Sequence, residues 1–222
     1  MGIVHAGLAK HGQAWFAKDQ TAGKGQRGNT WLSHPGDNII LTVSLQPASV
    51  FTVDKFYFNA CIALSTLKFL REYGGEDFFI KWPNDLYWRD RKAGGILIEN
   101  VIQGQTWRWS VVGIGINVNQ KDFPTRLLNP VSLSLITGQG YDAVELAMKL
   151  HEIILDDLAS LTSPELILQA YNDNLYKKDQ EVRLKKDNGY FLTTIKGVDA
   201  FGNLLTEDVM ERSFTFGEVS WI

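Results

Sequence analysis

The spacing of apolar and polar residues predicts a sheet in the first half of the chain. Alternation over residues 38–46, with every second residue apolar, predicts a strand packed mainly on one face. A short apolar run at residues 14–17 predicts a buried strand. The same kind of pattern predicts three further strands, at residues 78–82, 94–102 and 106–116, the last two joined as a hairpin by a polar Gln-Gly-Gln turn.

Apolar residues that recur at steps of three and four predict helices. The pattern predicts three of them, over residues 54–73, over residues 142–161 and from residue 163 to near Tyr176. Asp142 followed by Glu145 forms a capping box, and Ser163 before Pro164 is a typical helix start. A shorter apolar stretch predicts a helix over residues 2–12 that is ended by a glycine.

The pattern changes after residue 177, where four short strands are predicted in under fifty residues. They lie at residues 181–185, 190–198, 204–207 and 213–221. Asp-Asn-Gly and Phe-Gly-Asn turns separate them. The spacing predicts a small barrel of SH3-like size, so we expect two domains, residues 1–176 and residues 177–222.

The composition excludes several classes of protein. Apolar residues make up 45% of the 222 residues and charged residues 21%, which is typical of a globular chain. The net charge of −3 gives no overall attraction for nucleic acid, and no stretch approaches the ~20 apolar residues of a membrane helix. Cys61 is the single cysteine, which is typical of a protein of the reducing cytoplasm and leaves no cysteine–histidine metal pattern.

A glycine-rich loop at residues 19–31 carries the first candidate chemistry. Gly23, Gly25 and Gly28 let a ligand approach the backbone closely, and Lys24 and Arg27 supply cations for an anion. The glycines also match the dinucleotide pattern Gly-x-Gly-x-x-Gly, but the residues that follow cannot open the helix which that pattern requires. Taken alone, such a loop is more often a flexible surface turn.

A second candidate site lies where a predicted strand ends at Pro83. Asn84 and Asp85 follow in a tight turn on a rigid element, where they are well placed to hold a ligand. Lys92 comes seven residues after Asp85, and its ammonium can reach a carboxylate or phosphate. The alternative for each of these charges is a solvated basic turn.

A third candidate is the stretch at residues 113–119, in which glycines alternate with isoleucines. Gly113 and Gly115 leave one strand face without side chains, which makes room for a flat ligand. Asn117 can donate and accept hydrogen bonds at the edge of that face. Close strand packing in a core explains the glycines equally well.

Together and in this order, the three segments resemble the biotin protein ligase family. The resemblance runs from about residue 14 to residue 222. It is carried by Lys81-Trp82-Pro83-Asn84-Asp85, Arg91-Lys92, Gly94-Gly95-Ile96-Leu97, Gly113 to Asn117, and the terminal Phe216-Gly217-Glu218-Val219-Ser220.

The resemblance implies an α+β fold and an ATP-dependent ligase. The catalytic domain would be similar to class II aminoacyl-tRNA synthetases, with a mixed sheet and flanking helices, followed by a small SH3-like β-barrel. The enzyme would use ATP and Mg²⁺ to convert biotin to biotinyl-5′-AMP and would transfer biotin to a lysine of a biotin carboxyl carrier protein domain. The family also pairs through sheet edges, which leaves a homodimer open.

The resemblance also implies roles for individual residues. Lys92 and Asp85 would be catalytic, and no side chain is expected as a metal ligand, because phosphate oxygens would hold the magnesium. Biotin would contact Gln20, Gly23, Lys24, Gly25, Gln26, Trp31, Lys92, Gly94, Gly95, Gly113 and Gly115. ATP would contact Lys24, Arg27, Asn29, Trp31, Lys81, Asn84 and Asn117.

Two departures from the family pattern change these expectations. The family carries a Ser/Thr-Asn motif before the segment that matches residues 2–12, so contacts to the ureido side of biotin would be missing here. Gln26 stands where many bacterial relatives have arginine, which removes a charge and weakens retention of the adenylate. No DNA-binding domain precedes the catalytic segment, so we expect no repressor role.

Three other functions compete with that of a biotin ligase. A lipoate–protein ligase shares the adenylation chemistry, but the Lys81–Asp85 turn and its spacing to Lys92 favour biotin. An impaired fragment that only binds nucleotide or carrier is the second alternative. A nicotinamide oxidoreductase is rejected because no βαβ unit surrounds the glycines.

Overall fold

The first half of the chain forms a six-stranded sheet in the order β1-β2-β6-β5-β4-β3. The computed structural model describes residues 1–48, 51, 55–125, 127, 129–160 and 163–222. The strands are β1 Gln13–Phe16, β2 Asn38–Leu45, β3 Phe78–Lys81, β4 Asp85–Trp88, β5 Arg91–Gln103 and β6 Thr106–Asn117. Each neighbouring pair is antiparallel, so the expected mixed sheet is wrong. Strands β3 to β6 follow one another through short connections, which join antiparallel neighbours.

Two strands of this sheet differ from their predictions, and a third was missed. Seven of the eight residues of strand β2 are buried, so both of its faces are covered rather than one. Strand β1 is at the edge of the sheet and is half exposed, although its apolar run predicts a buried strand. Strand β4 was not predicted, because its four residues begin with the charged Asp85 and are too few to establish a pattern.

The described residues form five α-helices. They are α1 Gly2–His5, α2 Lys55–Gly74, α3 Leu133–Thr137, α4 Ala143–Ala159 and α5 Pro164–Asp173. Helix α2 packs against β3, α4 and α5 and carries a buried core face that includes Phe58, Ile62 and Phe69. The Asp142 carboxylate accepts hydrogen bonds from the first turn of α4, which confirms the predicted cap. None of the described helices is long and apolar enough to cross a membrane.

Two helices are shorter than predicted, and α3 was missed because five residues show no periodicity. Helix α1 ends at His5, since Gly7 turns the chain into the left-handed region at φ +72°. Helix α5 ends at Asp173 because residues 174–176 bond to β3 instead: the amide of Ile80 donates to the carbonyl of residue 174. The predicted helix limits at residues 54 and 161 lie outside the described residues.

The C-terminal part forms a second antiparallel sheet in the order β10-β9-β8-β7-β11. Its strands are β7 Glu181–Lys186, β8 Gly189–Val198, β9 Leu204–Glu207, β10 Glu211–Phe214 and β11 Ser220–Trp221. The single strand predicted over residues 213–221 is therefore two strands. The segment between them, residues 215–219, leaves the sheet and reaches the first half of the chain.

One hydrophobic core continues from the first sheet into the second. Asn172 on α5 joins them by hydrogen bonding both backbone groups of Val198: its Nδ2 donates to the carbonyl at 3.0 Å, and its Oδ1 accepts from the amide at 2.7 Å. The Trp82 indole at the end of β3 donates to the carbonyl of Gly202 at 2.9 Å. These contacts fix the C-terminal sheet beside the strand ends that carry the candidate site.

Candidate active site

A cavity of about 600 Å³ lies where the three predicted segments meet. Its floor is formed by the middle of β2, β5 and β6, and its walls by the loop at residues 19–31 and by residues 216–220. Predicted site residues on its lining are Gln20, Lys24, Gly25, Gln26, Arg27, Asn29, Trp31, Asn84, Asp85, Lys92, Gly95, Gly113 and Gly115. Most of the predicted site is therefore brought together in one cavity.

Gly113 and Gly115 form the bare floor of this cavity, and Trp31 covers part of it. A Cβ atom on Gly115 would lie 2.5 Å from the Trp31 ring, so the indole rests directly on the glycine backbone. The nearest heavy atom to a Cβ on Gly113 would be the carbonyl oxygen of Leu97, at an ordinary 3.5 Å. The flat surface left open to a ligand is therefore nearer Gly113.

Asp85 and Lys92 form an ion pair above Gly95. The Asp85 Oδ1 and Lys92 Nζ atoms are 2.7 Å apart, and both side chains are about one-third exposed. A Cβ on Gly95 would lie 3.2 Å from the Asp85 oxygen and 3.6 Å from the Lys92 nitrogen, so the glycine leaves space for the pair. The pair places one cation and one carboxylate on the same wall of the cavity.

The turn before this pair is fixed by hydrogen bonds between Asn84 and β5. The Asn84 carbonyl accepts from the amide of Ile96 at 3.0 Å, and the Asn84 side-chain amide donates to the carbonyl of Ile96. The Tyr171 hydroxyl on α5 donates to the carbonyl of Pro83 at 2.9 Å. Asp85 is thus held on a rigid strand start, as the sequence predicts.

The loop at residues 19–31 is folded back on itself rather than extended. The amide of Trp31 donates to the carbonyl of Gly23 at 3.0 Å, and the amide of Gly25 donates to the carbonyl of Asn29 at 2.7 Å. A Cβ on Gly23 would lie 2.3 Å from the Trp31 carbonyl oxygen, which explains the glycine there. Gly23 supports the loop and is not on the cavity lining.

Arg27 joins the loop to the C-terminal part of the chain. Its Nη1 donates to the carbonyl of Gly217 at 2.9 Å, and its guanidinium lies 5.2 Å from the centre of the Phe216 ring. The Phe216 ring in turn packs edge-on against Trp82, with centres 6.0 Å apart. The resemblance pointed to the sequence of this tail, but no sequence signal showed that the tail would wall the cavity.

Gly94 and Asn117, two further predicted site residues, also lie outside the lining. The buried Asn117 side chain donates to the carbonyls of Val131 at 3.1 Å and Lys92 at 3.4 Å, so it supports the strand that carries Lys92. A Cβ on Gly94 would lie 2.8 Å from the carbonyl oxygen of Gly115, which explains a glycine at this strand crossing.

Lys81 lies behind the cavity wall among aromatic rings. Its Nζ is 4.5 Å from the ring centre of Tyr87, 5.0 Å from that of Trp221 and 5.5 Å from that of Tyr176. Burial lowers the pKa of Lys81 to about 8, with Lys92 adding repulsion while Asp85 opposes the shift. The lysine therefore contacts both sheets and not the cavity.

The cavity supplies few metal ligands of its own. Within the described ranges, no group of three or more histidine, cysteine, aspartate or glutamate side chains is close enough to hold a metal ion. Asp85 and Glu99 are the carboxylates on the lining, and Asp85 is already paired with Lys92. Glu99, like Thr42 and Val111, lines the cavity without having been predicted.

Comparison with known proteins agrees with this geometry. Residues 6–117 match the model of the biotin/lipoate A/B protein ligase family, which covers the loop, the Asp85–Lys92 pair and the glycine floor. The chain belongs to this family. The bifunctional ligase/repressor BirA of Salmonella typhimurium is 30% identical over 226 residues, 96% of this chain and 68% of that protein. The chain spans between 38% and 68% of the length of four bacterial proteins of this name.

Two other members of the biotin/lipoate ligase family extend the comparison. The biotin–[acetyl-CoA-carboxylase] ligase of Paracoccus denitrificans is 35% identical over 109 residues, 48% of this chain and 45% of that protein. The solved structure of biotin protein ligase from Aquifex aeolicus in complex with biotin and ATP superposes with a TM-score of 0.80. It is 28% identical, and the match covers 96% of this chain and 89% of that one. The α+β fold with antiparallel sheets is thus that of a biotin protein ligase.

Proposed function

We propose that this protein is a biotin protein ligase, which activates biotin with ATP as biotinyl-5′-AMP and transfers it to a lysine of a carboxylase carrier domain. The observation that carries the proposal is the Asp85–Lys92 pair above a glycine floor, in one cavity with the loop at residues 19–31. The family match and the Aquifex aeolicus structure with biotin and ATP support this choice of substrates.

In the first step, the biotin carboxylate attacks the α-phosphate of ATP, so two anions must be brought together. The Lys92 ammonium offsets their repulsion and the charge that develops in the transition state. Lys24 and Arg27 line the same cavity and supply further cations for the phosphates. Magnesium, when bound, would neutralise the charge of the leaving pyrophosphate. Asp85 and Glu99 are the carboxylates on the described lining that would hold it, and phosphate oxygens would supply most of its ligands.

In the second step, the amine of the carrier lysine attacks the acyl carbon of the adenylate. The Asp85 carboxylate, on the same wall as Lys92, orients that amine and accepts its proton. The loop at residues 19–31 and residues 216–217 cover the adenylate and protect it from hydrolysis until the carrier domain binds.

Further proposals concern the architecture around this reaction. We assign a class II synthetase-like catalytic domain to residues 1–176 and an SH3-like domain to residues 177–222, supported by the separate second sheet. We also propose a cytoplasmic location and pairing of two copies through sheet edges. We expect no binding of nucleic acid, given the net charge of −3.

The test is the intact mass of a carrier domain after incubation with this protein, ATP, magnesium and biotin. We expect a single added biotin with the native protein, and at least about a hundredfold slower addition with Lys92→Ala, because one lost electrostatic contact costs that much in such sites. Lys68→Ala is the matched control, since Lys68 pairs with Asp157 on the helical side, away from the cavity. Addition of lipoate in preference to biotin, or no addition, would contradict the proposal.

A further inference from the structure

A second cavity, of about 450 Å³, adjoins the first. It lies between the first half of α2 and the second sheet, and the segments at residues 201–203 and 215–216 form its outer wall. The two cavities share part of their walls: Gln26, Pro83, Asn84, Ile96 and Phe216. A group that enters the second cavity therefore arrives beside the turn that carries Asp85.

The outer wall of this second cavity is a rigid loop. The Asp199 carboxylate accepts from the amides of Phe201 and Asn203, both at 2.9 Å. Gly202 is held by the Trp82 indole, and at φ +85° a Cβ there would lie 2.6 Å from the Phe56 ring. The loop holds Phe201 outward with 77% of its surface exposed, which is an unusual position for a large aromatic side chain on so well fixed a segment.

The lining suits an alkyl chain that ends in a hydrogen-bond donor. Ala63, Ile96 and Ile98 give it apolar walls, and none of the described residues on the lining is a carboxylate. Gln26 Oε1 and Asn59 Oδ1 are buried acceptors at this cavity that receive no hydrogen bond within the described part of the chain. An amine donor placed there would satisfy acceptors that are otherwise costly to bury.

The same lining does not suit the other substrates. A triphosphate needs several cations, and Lys24 and Arg27 line the first cavity, while Lys55 is the one lysine or arginine among the described residues of the second. Biotin and adenylate would occupy the first cavity under the proposed function. The remaining reactant, a lysine side chain on a protein, has to reach the adenylate from another side.

We propose, on the basis of the proposed function, that the second cavity is the entrance for the acceptor lysine and that Phe201 contacts the carrier domain at its mouth. The lysine methylenes pass between the apolar walls, and its amine reaches the Asn84–Asp85 turn. The neutral amine nitrogen forms the bond to the acyl carbon, and the bond from that carbon to the phosphate oxygen breaks. AMP leaves with the electron pair, and the amine proton passes to the Asp85 carboxylate.

The test separates adenylation from transfer in three variants of the full chain. Asn59→Leu removes an acceptor beside the cavity, Phe201→Ala removes the exposed ring, and Val209→Ala is the control, an exposed apolar residue on another turn of the second sheet. Biotin-dependent pyrophosphate exchange measures the first step. Transfer from preformed adenylate to a carrier domain, and to hydroxylamine as a small amine, measures the second.

We expect all three variants to exchange pyrophosphate at the native rate. Asn59→Leu should slow transfer to the carrier about tenfold, and Phe201→Ala should raise the KM for the carrier about fivefold without slowing the reaction with hydroxylamine. If Asn59→Leu does not fold, the KM for the carrier in Phe201→Ala, a substitution at an exposed residue, still tests the proposal.

Two results would overturn the inference. Native transfer kinetics in Asn59→Leu and Phe201→Ala would show that the lysine enters elsewhere, and a raised KM for ATP in either variant would assign the cavity to the nucleotide. Failure of the proposed function is a different result, because the native protein itself would then show no biotin-dependent pyrophosphate exchange.

Discussion

Gly115 shows how one missing side chain shapes the cavity. The Trp31 indole lies where a Cβ of Gly115 would be, at 2.5 Å from the ring, so any side chain at this position must displace Trp31. We expect Gly115→Ala to lower kcat/KM for biotin at least about tenfold, because small misplacements of a binding wall have large kinetic effects. Steady-state kinetics measure the change in kcat/KM. The fluorescence of Trp31, obtained as the difference from a Trp31→Phe variant, measures the displacement of the indole.

Gly113→Ala is the matched control for this variant. It adds the same methyl group to the same strand two residues away, where the nearest heavy atom is at an ordinary 3.5 Å. We expect Gly113→Ala to lower kcat/KM for biotin as well, because its methyl group occupies the open floor of the cavity, but to leave Trp31 fluorescence unchanged. An equal change in Trp31 fluorescence in the two variants would contradict the view that only a side chain at Gly115 displaces Trp31.

Much of the site at this scale is predictable from local sequence. Pro83 ends a strand, so the sequence predicts that Asp85 lies in the turn that follows it. Lys92 comes seven residues later at the start of the predicted hairpin, so the sequence also indicates a lysine in this region. Asn117 shows where such reasoning ends. Its place under the Lys92 strand depends on Val131, fourteen residues away, and nothing in the local pattern indicates that contact.

At the scale of elements, the loop at residues 19–31 and the tail at residues 216–217 act as one wall of the cavity. Gly217, at φ +91°, leaves room for the Arg27 guanidinium, which a Cβ there would overlap. We expect Gly217→Ala to free the loop, raise the KM for ATP about tenfold and speed tryptic cleavage after Lys24 and Arg27. Steady-state kinetics and limited proteolysis measure both effects.

Gly104→Ala controls for the backbone strain in that experiment. Gly104 also has a positive φ, +59°, but a Cβ there has nothing within 4 Å, and it lies in the β5–β6 turn. Both variants therefore carry the strain of a left-handed alanine, and only Gly217→Ala disturbs Arg27. Cleavage of the loop at the same rate in both would rule out the contact as its anchor.

Elements with a long periodic pattern were predicted well, and short ones were not. The twenty residues of α2 and the β5–β6 hairpin follow their hydrophobic patterns closely. Strand β4 and helix α3, with four and five residues, give no periodic signal. The antiparallel order of the sheet was missed for a different reason: strand direction depends on how neighbours pair, which a single strand's pattern does not contain.

At the scale of the whole molecule, the two sheets meet around a partly buried ammonium group. Lys81 on β3 lies among Tyr87 from the first sheet, Trp221 from the second and Tyr176 from the segment between them. The three ring faces favour the ammonium form, while burial disfavours it. The resemblance implies an ATP contact for Lys81, whereas the second sheet, through Trp221, forms part of the junction at which this lysine lies.

The stability of the folded protein should therefore depend on pH through Lys81. Burial lowers the pKa of Lys81 to about 8 from the usual 10.5, so between these values the unfolded chain binds more protons than the folded one. Stability contributed by this group then rises with pH, by about 2 kcal/mol between about pH 7.5 and 9.5. We expect urea unfolding to show this gain in the native protein relative to Lys81→Met, while the exposed Lys10→Met keeps the native pH profile. Parallel pH profiles of stability for the native protein and Lys81→Met would mean that the junction holds the lysine without shifting its pKa.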